Sequence, residues 1–432
     1  MDSRLRGNDA YLDECFKVSK NKMKQLFERS YQGNIPKYFI YQALYQFMLF
    51  LPVWVIFLQQ ERGLTLTQVT FVDVAFWLTT AAAELPTGMV ADTFGRKASV
   101  TISVLMTTGA VLLFGLTQNF FLLMVANSLW AIAITFESGA GLALLYDSLK
   151  EVGREEDYST VRARLSIVAL VSTAVSTILG GMVGNWNMEA TFVITAILMV
   201  VSLLFVLTLK EPPYDPDPDT GERIKYARSV GMTFEALKQS PNLRMVMLYR
   251  NLLPVGGALV AITFFQPHAV NIGISIKWIG IYLFSFRMFR LAGAAAVSSV
   301  QQKMGVWRWL WLAPAIVLIG FVALGLLETW VGLLVFGLVG FSSAVTGPIT
   351  EAIVMKATPG AERATVLSVD MLIFYLLQSG IELGMGVMGQ RYGLPEMFLA
   401  IGVGTWLVLT VVLARWRKVW QDMQLGPKVK TA

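Results

Sequence analysis

The stretch "ELPTGMVADTFGRKASV", Glu84 to Val100, decides how this chain is read. It sets Asp92, Arg96 and Lys97 close together, with Gly88 ahead of them and Gly95 among them. Mostly apolar sequence continues on both sides for about twenty residues, the length a helix needs to cross a bilayer. A charged turn between two such runs reads as the loop where one membrane-spanning helix ends and the next begins.

Composition agrees with that reading. Of 432 residues, 55% are hydrophobic and only 15% charged, and the mean hydropathy is +0.58. A soluble domain carries about 25% charged residues. The apolar runs are continuous rather than alternating, which favours helices over a membrane barrel. One histidine, His268, and one cysteine, Cys15, leave no ordinary zinc, haem or iron–sulfur ligand set and no internal disulfide. No cofactor, resident metal or catalytic residue is therefore expected. Residues 1–37 lack the apolar core of a cleavable signal peptide.

Working outward from the charged turn, twelve spans are predicted at roughly 38–60, 66–90, 97–117, 120–146, 163–185, 189–209, 243–268, 277–300, 308–327, 330–353, 364–390 and 395–415. The expected fold is an all-α integral membrane protein with twelve transmembrane helices in two six-helix bundles. The bundles cover 38–209 and 243–415. A tail, 1–37, precedes them, a polar linker, 210–242, divides them, and a second tail, 416–432, follows. With the N-terminus inside, the inner segments carry 29 of the 35 basic residues. The outer loops carry only Arg62, Lys277 and Arg391. By the positive-inside rule both termini and the linker are expected to be cytoplasmic. The net charge of +6 is then topology rather than a nucleic-acid surface. The opening "MDSRLRGNDAYLDECFKVSKN" reads as unstructured, with Met23 as an alternative start.

The halves echo one another faintly. "LALLYDSLKEVGREEDYSTVRARLS" closes the fourth span, and "GPITEAIVMKATPGAERATVLS" closes the tenth. Both set an acid, Asp147 or Glu351, before a short charged loop, an arginine and a Leu-Ser pair. Internal repeats mark secondary transporters.

The loop pattern Gly-x-x-x-Asp-x-x-Gly-Arg-Lys resembles the signature of the major facilitator superfamily, with Gly88, Ala91, Asp92, Gly95, Arg96 and Lys97 in matching places. The resemblance extends along the whole chain and implies a gate latch. Gly88 would let the eleventh span approach, Asp92 would face that helix's N-terminus, and Arg96 would pair with Asp147. Glu351 would be the corresponding gate residue of the second half. "SGAGLALLYDSLK", "FFQPHAVNIGIS" and "ERATVLSV" resemble a bacterial drug-efflux-like subgroup, which implies export without naming a substrate.

Ionisable groups inside spans are costly and mark function. Asp73, Glu84 and Glu137 lie in the first half; Arg250, Arg287, Arg290, Asp370 and Glu382 lie in the second. Asp73 and Glu84 share a helix face with Trp77 and Thr80. Arg287 and Arg290 are one turn apart and require anions, either Asp370 or Glu382 or a substrate. Glu137, among small residues in "ITFESGAG", reads as a coupling group together with Asp73. Glu84, before Pro86, reads as structural. Arg250 and Asp370 divide between cavity and gate. His268 reads as an interfacial side chain at an outer edge. Trp77 and Trp130 can stack on an aromatic substrate, although membrane tryptophans more often anchor or pack. Ser172, Ser176, Gly180 and Gly184 recur every fourth residue and should let helices pack closely. The span-five stripe lacks the proline of the exporters' antiporter motif, and Asn127 marks a region of span four where many of them carry an arginine.

The expected function is secondary transport of a small organic molecule by alternating access, read as proton-coupled export of a drug or an amphipathic or anionic metabolite. No Gly-x-x-x-x-Gly-Lys-Ser/Thr pattern supports ATP as the energy source. The expected partners are the substrate, protons and membrane lipids, with no nucleic acid, and the protein is expected to act as a monomer. Uptake by proton symport or facilitated diffusion, and a non-transporting sensor with the same fold, stay open as alternatives.

Overall fold

A computed structural model describes residues 30–213, 240–259, 263–358 and 363–424. The tail 1–29 with Met23 and most of the predicted linker lie outside the described residues. Those described are helical, with no strand among them. Ten helices are long and apolar enough to cross a membrane, as a chain must when lipid offers its backbone no partner.

In the first half the helices are α1 (Tyr31–Tyr45), α2 (Trp54–Gln60), α3 (Leu66–Phe94), α4 (Arg96–Leu116), α5 (Phe120–Ser138), α6 (Ala140–Lys150), α7 (Tyr158–Trp186) and α8 (Met188–Thr208). In the second they are α9 (Pro241–Leu259), α10 (Phe265–Asn271), α11 (Ile276–Lys303), α12 (Val306–Leu326), α13 (Trp330–Ala357), α14 (Arg363–Tyr392) and α15 (Leu394–Gln424).

Two predicted spans are interrupted. The first breaks between α1 and α2, around Pro52, which has no N–H to continue a helix. The fourth breaks at Gly139, between α5 and α6. In the seventh, residues 260–262 between α9 and α10 lie outside the described residues. Two boundaries are also corrected. Helix α1 begins at Tyr31, inside the predicted tail, because Asn34 and Lys37 are buried there. Asn34 Nδ2 donates to Ser148 Oγ (2.8 Å), and Lys37 Nζ donates to the Thr208 carbonyl (3.0 Å). At the other end α15 runs past residue 415, because Trp416 is fully buried and donates its indole N–H to Asn242 (2.6 Å).

The packing repeats between the halves. In the first, α3 packs on α5, α4 on α5 and α8, α1 on α6, α7 and α8, and α7 on α8. In the second, α11 packs on α13, α12 on α13 and α15, α9 on α13, α14 and α15, and α14 on α15. Each contact of one set has its counterpart in the other. The turns repeat as well: Gly95 before α4 has φ +93°, and Gly305 before α12 has φ +80°. Both positions require a residue without a side chain. The halves meet along α3 with α14, α7 with α11, and α2 with α10.

Candidate functional site

The two ends of the helix array differ. One, here called the basic end, holds the Gly95 turn and the Arg96–Asp147 region. The other, the far end, holds Arg62, Lys277 and Arg391. At the basic end Arg96 forms an ion pair with Asp147 and donates to the Ala143 carbonyl (3.0 Å). The free N–H groups that open α4 are met by Glu211, whose carboxylate accepts from Arg96 N (2.8 Å) and Lys97 N (2.9 Å). An anion at a helix N-terminus satisfies both the unpaired donors and the dipole. Lys97 Nζ reaches the Leu207 carbonyl. Sequence reading missed Glu211, because nothing in "LKEPP" shows that it returns to the Gly95 turn. The surroundings of Gly88 and the side chain of Asp92, in the last turns of α3, lie outside the description.

The corresponding region of the second half holds an ionic network. Arg250 on α9 pairs with Asp370 on α14 (3.1 Å) and with Glu351 on α13 (3.3 Å), and Asn251 donates to Asp370 (2.7 Å). Neither Arg250 nor Asp370 lines the central cavity; both belong to this ionic network. The Asp370 side chain is 3% exposed. Arg250→Ala is therefore expected to cost about 3 kcal/mol, since it strands a buried carboxylate. Adding Asp370→Asn should recover much of that loss as Tm, and a double variant no more stable than Arg250→Ala would discard the pairing.

Toward the far end, polar groups tie the halves together. Thr263, between α9 and α10, places its hydroxyl 3.0 Å from Asp73 of α3 and 3.1 Å from Glu382 of α14. Asp73 is 6% exposed and Glu382 fully buried. A threonine has one hydroxyl hydrogen and can donate to one carboxylate. The second contact is a hydrogen bond only when that carboxyl carries a proton. Gln266 of α10 splices into the broken first span, accepting from Val55 N (3.1 Å) and donating to the Leu51 carbonyl (2.9 Å). Beyond it, Thr67 N donates to Gln390 (3.0 Å), and Ser275 meets Asn185 (2.9 Å). The predicted packing stripe seats the same region: Ser172 donates to the Ala43 carbonyl, Ser176 to the Thr173 carbonyl, and Gly180 and Gly184 lie against Leu49 and Val53.

A cavity of about 300 Å³ lies between the halves. Its walls are aromatic, with Trp77, Trp130, Phe76, Phe114, Phe192 and Phe286 among them. Asp73, Arg287 and Arg290 supply the charge. Trp77 also stacks on Tyr375 of the other half, with ring centroids 5.9 Å apart.

Several expectations are corrected. Glu137 does not line this cavity. It is held beside the α5/α6 break, where it accepts from Gln42 (2.5 Å), with Tyr38 Oη and Gly141 alongside. Glu84 is exposed and is not among the residues that line this cavity. Asp370 and Glu382 are committed to Arg250 and to Thr263 with Asp73, so neither partners Arg287 or Arg290. His268 is 1% exposed, edge-on to Phe398, rather than interfacial. Its helix α10 is packed inward against α2, α11 and α13, which hydropathy along the chain does not reveal.

The chain matches the family model described as Major Facilitator Superfamily over residues 40–381. It is 18% identical to the uncharacterized MFS-type transporter YxaM of Bacillus subtilis (strain 168), over 84% of this chain and 90% of that protein. Multidrug resistance protein 1 of the same organism is 25% identical over 37% of this chain and 40% of that protein. Among solved structures, the nucleoside transporter NupG (D323A mutant) superposes with a TM-score of 0.72 at 14% identity, over 89% of this chain and 98% of that one. A D-xylose-proton symporter does so with a TM-score of 0.67 at 11% identity, over 90% and 98%. Such low identities speak for fold alone. The family match covers most of the chain, and with the helical array and its cavity it identifies a multi-pass membrane transport protein that belongs to the major facilitator superfamily.

Proposed function

We propose that this protein exports a small organic molecule by alternating access, driven by protons. The observation that carries the reading is the position of Asp73. It faces the cavity and shares the Thr263 hydroxyl with Glu382 from the opposite half. A proton held there touches both the binding site and the contact that joins the halves. Asp73 and Glu382 therefore take the coupling role that the chain order assigned to Asp73 and Glu137.

Two further spans complete the architecture in this reading. The α1/α2 and α9/α10 segments each cross the bilayer, which makes twelve crossings in two six-helix bundles. The basic end faces the cytoplasm of a bacterial inner membrane. Arg96–Asp147 and Arg250–Asp370–Glu351 then brace the inner ends of the two bundles. Export is favoured by the drug-efflux-like sequence features and by the partial similarity to Multidrug resistance protein 1.

A growth-inhibition panel in an efflux-deficient bacterium tests this. The wild-type protein is expected to raise tolerance to a subset of compounds, and Asp73→Asn at matched expression should lose that gain. Sensitisation by the wild type, lost in the variant, would overturn export in favour of uptake. Protection that survives Asp73→Asn would remove the coupling role.

A further inference from the structure

We infer that the cavity takes a planar aromatic carboxylate: a one- or two-ring body held by the aromatic wall and a single anionic head held by Arg287. This rests on the transport reading above and names the substrate class of the same site.

The inference comes from which polar atoms in the wall are already engaged. Gln266 is occupied at both ends of its amide. Asn127 donates to the Val72 carbonyl (2.9 Å), Thr177 donates to the Thr173 carbonyl (2.6 Å), and Asp73 is held by Thr263. The unsatisfied polar atoms in the wall are all donors. Arg287 Nη1 and Trp130 Nε1 are buried without a hydrogen-bond partner. Trp77 Nε1 faces the Asp73–Glu382 pair instead. Arg290 adds a second positive charge one turn from Arg287, and neither forms an ion pair among the described residues.

Buried donors without acceptors are costly, and a guanidinium in the membrane more so. A carboxylate satisfies them with a planar, two-oxygen acceptor that matches the guanidinium fork. The aromatic wall favours a flat, polarisable body over an aliphatic one. The volume, at the low end of the about 300–1,000 Å³ of ligand pockets, suits a small ring system. Sugars and nucleosides fit poorly, because their hydroxyls would find few free partners. That separates this site from the cargo named for the solved relatives of similar fold.

Isothermal titration of the purified full chain in lipid nanodiscs tests the inference, with 2-naphthoate as the probe. It is expected to bind at least about tenfold more tightly than the isosteric neutral 2-naphthamide, the factor that one charged hydrogen bond supplies. This comparison needs only the wild-type protein. Arg287→Ala should lose a similar factor, and Arg287→Lys should lose less. Equal affinity for acid and amide would overturn the anionic head. Cyclohexanecarboxylate binding as tightly as benzoate would overturn the aromatic body. Tighter binding of uridine or xylose than of 2-naphthoate would overturn the class. Flux into proteoliposomes separates the two readings. Naphthoate binding without flux counts against transport alone, whereas flux of another compound without acid binding counts against the aromatic acid alone.

Discussion

Asp73→Asn and Glu382→Gln are each expected to abolish proton-driven accumulation in proteoliposomes while leaving the protein folded. Each amide keeps an oxygen that can accept from Thr263, so the bridge between α3 and α14 survives. The stability change should stay below about 1.5 kcal/mol, the net worth of an ordinary hydrogen bond. What disappears is the capacity to take up and release a proton at a position that faces the cavity. Substrate exchange without a pH gradient should persist in both variants, because the cavity wall is unchanged in shape. Thr263→Val is the complementary test. It leaves both carboxylates titratable but removes the hydroxyl between them, at an expected cost of about 1–3 kcal/mol. Undiminished accumulation in both carboxamide variants would show that the proton travels elsewhere, with the Glu137–Gln42 pair next to be examined.

The second large effect is expected from Gly280. A Cβ there would run into the Thr177 carbonyl and come within 3.0 Å of Ile178 Cα. Both belong to α7, and backbone cannot swing aside as a side chain can. Overpacking of this kind costs about 1–3 kcal/mol. Because the clash lies between the halves, the penalty falls on the conformation with the far ends together. Gly280→Ala should therefore shift the population toward far-end opening by about 5- to 150-fold. Spin labels at Gln118 and Glu328, exposed in far-end loops of opposite halves, read this directly in a Cys15→Ser background. A longer distance should gain population. Gly184→Ala is the control, since its Cβ would meet Val53 within the same half. It should lower Tm without moving the distances. An unchanged distance distribution for Gly280→Ala would mean that α7 and α11 do not separate at this point.

Much of the architecture was legible from residue order, for identifiable reasons. A bilayer imposes length and continuity on apolar runs, so most of the long helices between α3 and α14 could be placed within a few residues. Gly95 marked its own turn, because only glycine readily takes φ +93°. The four-residue spacing of Ser172, Ser176, Gly180 and Gly184 marked a helix face shaped for close approach. Gly181, one position on, packs against the Ile276–Gly280 backbone of α11, yet nothing in the spacing distinguishes a contact within a half from one between halves.

Partners were another matter. Asp73 of α3, Thr263 before α10 and Glu382 of α14 lie up to 309 residues apart in the chain, and no periodicity relates them. Whether a carboxylate in a span faces an arginine, an amide or another carboxylate depends on how the helices are rotated and where they break. That is why Glu137, Asp370 and Asp73 read alike along the chain, although of these three Asp73 alone lines the cavity. It is also why Arg287 could be set against acids that turn out to be engaged elsewhere. Composition and periodicity, which act along one helix at a time, were enough for membrane and long helices, and the Gly88–Lys97 pattern carried the family resemblance. The cavity, the carboxylate pair and the unpaired donors exist only where two halves meet, and their chemistry was decided there.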